Sequence, residues 1–106
     1  MKIDFFFVGG KAYALAYIEK LTKEEIIDAF HVIKQLSQRH FSEVGTKKWQ
    51  DKIYEVYFKR HNRIFFTLKH NKIYILYACR KKKCKTTITD RTNILRIYKL
   101  FTQYVS

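Results

Sequence analysis

Residues Ile53–Lys85 read IYEVYFKRHNRIFFTLKHNKIYILYACRKKKCK. Three runs rich in Ile, Val, Tyr and Phe, namely Ile53–Phe58, Arg63–Leu68 and Ile73–Cys79, are separated by the polar breaks Lys59–Asn62 and Lys69–Lys72. Short runs of β-branched and aromatic residues read as strands. Breaks of this length admit only hairpins, so the stretch is expected to be an antiparallel three-strand meander. The basic run Arg80-Lys81-Lys82-Lys83-Cys84-Lys85 then leaves the end of a strand.

Charge singles out the same region. Met1–Glu55 carries nine basic and eight acidic residues, a balance of +1. Val56–Ser106 carries 13 basic and one acidic, a balance of +12, and no Asp or Glu occurs from Val56 to Thr89. Such a field is the electrostatic mark of contact with phosphates.

Outward from the meander, 106 residues suffice for one domain with a core of its own, and the 47% hydrophobic content argues against disorder. With no Pro and three Gly, no linker or low-complexity segment stands out. Lys2–Val8 reads as a strand, Gly9-Gly10 as a turn and Lys11–Lys20 as a short helix. Thr22-Lys23-Glu24-Glu25 is a capping box opening a second helix, with Ile26, Ile27, Phe30, Ile33 and Leu36 on its apolar face. That helix should run out near Arg39–His40, and a loop from Gly45 through Lys47, Lys48 and Trp49 should lead to the meander. Thr87–Asp90 opens a last helix that buries Ile94, Leu95, Tyr98 and Phe101. The expected class is α+β in the order β-α-α-β-β-β-α, with a helical pair on one sheet face and a site on the open one.

Cys79 and Cys84 form a C-x4-C pair, too few ligands for zinc, and the four His show no matching spacing, so no metal or other cofactor is expected. Reduced thiols fit a cytoplasmic protein. No segment is long and apolar enough to span a membrane, and the apolar stretch after Asp4 is too short for a signal peptide.

Tyr54-Glu55-Val56-Tyr57, Arg63-Ile64-Phe65-Phe66 and Ile75-Leu76-Tyr77-Ala78-Cys79-Arg80-Lys81-Lys82-Lys83-Cys84-Lys85-Thr86 occur in that order. They resemble the Y-E-L-R, R-I-x-[FY] and L-L-H-x-F-x-K-K-x-x-K-T-P elements of RelE/ParE-superfamily toxins of the HigB-like, phage-derived branch. The resemblance departs at Tyr57, Tyr77, Cys79 and Thr87, where the family pattern has Arg, His, Phe and Pro. It implies a RelE-like domain over residues 1–106. It also implies a type II toxin that cuts mRNA on the ribosome without metal, held inactive by a helix-turn-helix antitoxin in a hetero-oligomer.

Metal-independent RNA cleavage requires a base for the 2′-hydroxyl, cations for the phosphorane and an acid for the 5′-oxygen. Arg63 and Arg80 are the first candidates for phosphate clamps, since a guanidinium holds two oxygens at once. They are expected to converge at one sheet edge if the register puts them on the same face. Lys82 and Lys85 follow, a Lys crowded by like charge being a candidate proton carrier, and Glu55 is a candidate base. Lys59, Arg60, Lys81, Lys83 and Lys85 are candidate RNA-backbone contacts, and Tyr57 and Tyr77 are candidates for stacking on a base or donating a proton. Against these stand plainer readings. The basic run can be a solvated face, Arg63 can pair with Glu55, and Arg80 with a carboxylate such as Glu55 or Asp90. His61 and His70 read as exposed turn residues, Trp49 as a packing anchor, and Tyr54, Tyr74, Phe65 and Phe66 as core. Two other functions fit the same residues: a non-enzymatic toxin acting on a protein such as DNA gyrase, and a non-catalytic RNA- or ribosome-binding module.

Overall fold

The computed structural model describes residues 1–81 and 86–105. Its elements are β1 (Lys2–Phe5), α1 (Tyr13–Glu19), α2 (Lys23–Ser37), β2 (Lys47–Gln50), β3 (Ile53–Phe58), β4 (Asn62–Lys69), β5 (Lys72–Arg80) and α3 (Ile88–Tyr104). The class is α+β with a mixed five-stranded sheet in the order β1-β5-β4-β3-β2, β1 running parallel to β5 and the rest antiparallel.

The meander lies where the runs and breaks put it. Its β4–β5 turn, His70-Asn71, has both residues at positive φ (53° and 60°), the twist that a two-residue hairpin needs. Two expectations are corrected. Lys47–Gln50 is not loop but an edge strand on β3, and the first strand stops at Phe5. KKWQ holds one aromatic among polar residues, and a short lysine-bearing strand is how proteins blunt a sheet edge.

The helix ends follow the local code. Thr22 and Thr87 accept from the backbone N–H of Glu25 (3.3 Å) and Asp90 (3.1 Å), capping α2 and α3. The inward face of α2, however, is Glu25, Ala29, Val32 and Leu36, whereas Ile27 and Phe30 are 61% and 44% exposed. Of the expected face, Leu36 is buried and Ile26 and Ile33 pack against the core, while Ile27 and Phe30 turn outward and Ala29 and the partnered Glu25 take inward places that counting apolar residues did not give them.

Helices α1 and α2 cover one sheet face through Ile18, Val32, Leu36, Val56, Phe66 and Ile75. Helix α3 covers the other through Ile94, Ile97 and Phe101 against Phe65, Leu76 and Cys79. Trp49 packs edge-on to Phe65 at 5.3 Å and donates to Thr86 Oγ1 at 3.2 Å, so it is the anchor its position suggested. Beyond Trp49, toward the ends of β3 and β4, this face stays open. No helix among the described residues is long and apolar enough to cross a membrane.

One irregularity decides which side chains reach that opening. Phe65 pairs with Tyr77 but Phe66 pairs with Ile75, so Leu76 is an extra residue in β5. Such a bulge re-aims every side chain after it. Ile73 and Ile75 face α1 and α2, and beyond the bulge it is Ala78 that faces them while Cys79 faces α3.

Candidate functional site

The open part of the α3-side face is a groove of about 460 Å³ lined by Val44, Gly45, Lys47, Glu55, Tyr57, Arg63 and Lys81. Tyr57 on β3 pairs across the sheet with Arg63 on β4, and Lys47 on β2 pairs with Glu55 on β3. Period-two alternation thus sends Glu55, Tyr57 and Arg63 into the groove while Val56, Phe58 and Ile64 fill the core behind. Lys81 continues the β5 pairing, its N–H donating to the His61 carbonyl at 2.8 Å.

Lys81 donates to both Glu55 oxygens, at 3.2 and 3.1 Å, and the two side chains are only 10% and 12% exposed. Arg63 lies over the Tyr57 ring, its guanidinium carbon 4.5 Å from the centroid, and donates to the Asn62 carbonyl at 3.1 Å. It makes no ion pair to a carboxylate among the described residues. Glu55 therefore takes Lys81 as partner, not Arg63. The groove holds a guanidinium with no carboxylate partner among the described residues, an ammonium–carboxylate pair and an aromatic ring on one rigid sheet, a set able to grip a phosphate and move a proton.

Arg80 lies elsewhere, which corrects the expected convergence. Asn62 pairs with Arg80 and Arg63 with Cys79, so the two arginines project from opposite faces. Arg80 donates to the buried Glu25 at 2.6 Å. Asn62 donates to the same Glu25 oxygen at 2.7 Å and accepts from the Tyr17 hydroxyl. The carboxyl of Glu25 is held below its ordinary value, first by the Asn62 amide and then by Thr22 and Arg80, against the opposing pull of burial. Arg80 is thus paired with a carboxylate, though neither Glu55 nor Asp90.

The remaining candidates also separate. Lys59 and Arg60 sit in the β3–β4 turn and pair with Glu24 of α2 at 3.1 and 3.8 Å, away from the groove lining. Tyr77 donates to Asp90 Oδ1 at 2.8 Å and so ties β5 to α3, and burial pushes its phenol up to about 12. Cys79, a free thiol inside the α3 interface, is raised by burial to about 12 as well. Lys82, Lys83 and Lys85 lie outside the described residues. Among the described residues no group of His, Cys, Asp and Glu is arranged to hold a metal ion.

The structure adds Lys47, which sequence reasoning left in a loop. Arg91 of α3, outside the groove lining, has its guanidinium 5.2 Å from the Trp49 ring and hydrogen-bonds Gln50. The one available signal was Lys47-Lys48 next to an aromatic, which is legible only once β2 is a strand.

Residues 13–99, from the start of α1 into α3 and including the whole groove, match the family described as Phage derived protein Gp49-like (DUF891). The chain belongs to the Gp49-like family. That family is part of the RelE/HigB-type toxin superfamily and is a family of toxin–antitoxin toxins. A toxin role and an antitoxin partner follow for this Gp49-like chain. No curated protein sequence matches it.

Proposed function

We propose that this Gp49-like toxin is a metal-independent endoribonuclease that cuts mRNA on the ribosome, with the groove as its active site. The observation that supports this most is the grouping of Arg63, Lys81, Glu55, Lys47 and Tyr57 in one open cleft. In this reading Arg63 grips the non-bridging oxygens of the scissile phosphate, as a fork of donors suited to developing phosphorane charge. Glu55 takes the proton of the 2′-hydroxyl, and the 2′-oxygen forms its bond to phosphorus. The bond from phosphorus to the 5′-oxygen breaks, and the Lys81 ammonium supplies the proton that leaves with it. The products are a 2′,3′-cyclic phosphate and a 5′-hydroxyl. Tyr57 keeps the guanidinium flat across the groove floor. The antitoxin of this reading is a helix-turn-helix protein in complex with the toxin, and both work in the cytoplasm.

The test is incubation of the purified protein with ribosome-bound mRNA, followed by mapping of cleaved ends. New 5′-hydroxyl ends that appear with the parent and vanish with Arg63→Ala support the reading. Intact mRNA in the presence of protein that still arrests growth overturns it.

A further inference from the structure

A second basic surface lies on the other side of the β5 end. Strand β1 pairs with β5 only as far as Ile75, where the Phe6 N–H reaches the Ile75 carbonyl at 2.9 Å. Beyond that point the flank of β5 is taken by α1, and a slot of about 220 Å³ opens there, lined by Lys11, Tyr13, Ala16, Tyr17, Lys20, Tyr77 and Ala78. Its lining contains no carboxylate. Lys11 and Lys20, both exposed, flank it from the two ends of α1. Arg96 of α3 adds a third cation, 5.9 Å from the Tyr13 ring, while Lys11 stands 4.7 Å from the same ring. The carboxylates that touch the surrounding residues already have partners, Glu25 on Asn62 and Arg80, Asp90 on Tyr77 and Thr87. Cations from the two ends of α1 and from α3 therefore meet around tyrosines, with no acid in the slot lining to neutralise them. Nothing in the sequence joined them, since Lys11 and Lys20 belong to the electrically balanced half of the chain.

We propose that this slot is a second subsite for an RNA phosphodiester backbone, in which Lys11, Lys20 and Arg96 neutralise phosphates beside the Tyr13 and Tyr17 rings. The inference rests on the reading of the protein as one that acts on RNA, but not on its cutting it. Ala78 of the slot and Lys81 of the groove lie close together along β5 and its continuation, so a strand gripped in the groove lies near the slot. The phosphates can belong to the bound mRNA or to ribosomal RNA, and the test separates the two.

Binding is measured with 2′-O-methyl RNA, which cannot be cut, at lengths of about 4 and about 12 nucleotides, a range that single-strand sites cover. Sedimentation with ribosomes is measured alongside. The variant is Lys11→Gln with Lys20→Gln, both exposed, with arginine at both positions as the charge-preserving control. A subsite on the mRNA path predicts weaker binding of the longer RNA alone, with the slope of log affinity against log salt reduced by about 1.4, roughly 0.7 per lost phosphate contact. A subsite for ribosomal RNA predicts unchanged oligonucleotide binding and weakened ribosome sedimentation. In both cases arginine restores the parental value. Unchanged binding to the longer RNA and to ribosomes overturns the subsite. Lysine-dependent binding by a protein that leaves mRNA whole overturns the cleavage reading and leaves the subsite standing.

Discussion

Arg63 and Tyr57 face each other across β3 and β4, with the guanidinium carbon 4.5 Å from the ring centroid. The ring thus carries a cation at the place where related toxins are expected to have an arginine of their own. Arg63 is itself part of the R-I-x-[FY] element, so here a ring supports that arginine where the pattern has a second cation.

A first prediction concerns that platform. Tyr57 is 46% exposed, so Tyr57→Ala should leave the melting temperature nearly unchanged. A cation–π contact at such a site is worth about 1 kcal/mol, so loss of guanidinium alignment should slow cleavage about fivefold. Tyr57→Phe keeps the ring and should cut at the parental rate. The rate of mRNA cleavage by the two variants checks this.

A second concerns the Glu55–Lys81 pair. Both side chains are largely out of water, so Lys81→Met leaves a carboxylate without its counter-charge and should cost on the order of 2 kcal/mol of stability. Glu55→Gln together with Lys81→Met removes both charges and should recover most of that loss. Urea titration of the single and double variants measures it. Neither protein should cleave.

A third follows from Glu25. Its carboxyl is held below the ordinary value near 4.5, chiefly by Asn62. A carboxyl whose folded pKa is depressed stabilises the fold above its unfolded pKa, and that contribution fades as pH falls through the folded value. The parent should therefore lose thermal stability below about pH 4.5 more steeply than Glu25→Gln, which should start lower at pH 7 and fall less. Melting temperatures from pH 7 to pH 3 show the two slopes.

The sequence alone made the meander legible, because its runs and breaks obey strand and hairpin chemistry, and it made the caps legible at Thr22 and Thr87. It also drew attention to Glu55, Tyr57, Arg63 and Lys81 by type and by position. It could not reveal their partners. The extra residue at Leu76 reverses the alternation of β5, and with it the face that Arg80 takes. Nothing in IYILYACR marks that insertion. Strand β2 escaped because its pairing, not its composition, makes it a strand, and Lys47 escaped with it. Glu25 read as part of a capping box, which it is, but its burial against Asn62 and Arg80 depends on contacts distant in sequence.

A fourth prediction uses Cys79. Its thiol is buried and raised to about 12, so it is a neutral, shielded group at pH 7. Iodoacetamide should label Cys79 in the folded protein far more slowly than in urea. Peptide mass spectrometry after a time course reports the ratio, and rapid labelling of native Cys79 would contradict the packing of α3 on β5.

The most direct measurement compares Arg63→Ala with Arg80→Ala in one assay of ribosome-bound mRNA cleavage at saturating substrate, with melting temperatures recorded on the same samples. Loss of one transition-state donor costs on the order of 3 kcal/mol, about a hundredfold in rate. The predicted result is that Arg63→Ala melts like the parent and cuts at least about a hundredfold more slowly, whereas Arg80→Ala melts lower and still cuts. The contradicting result is a folded Arg63→Ala protein that cuts at the parental rate.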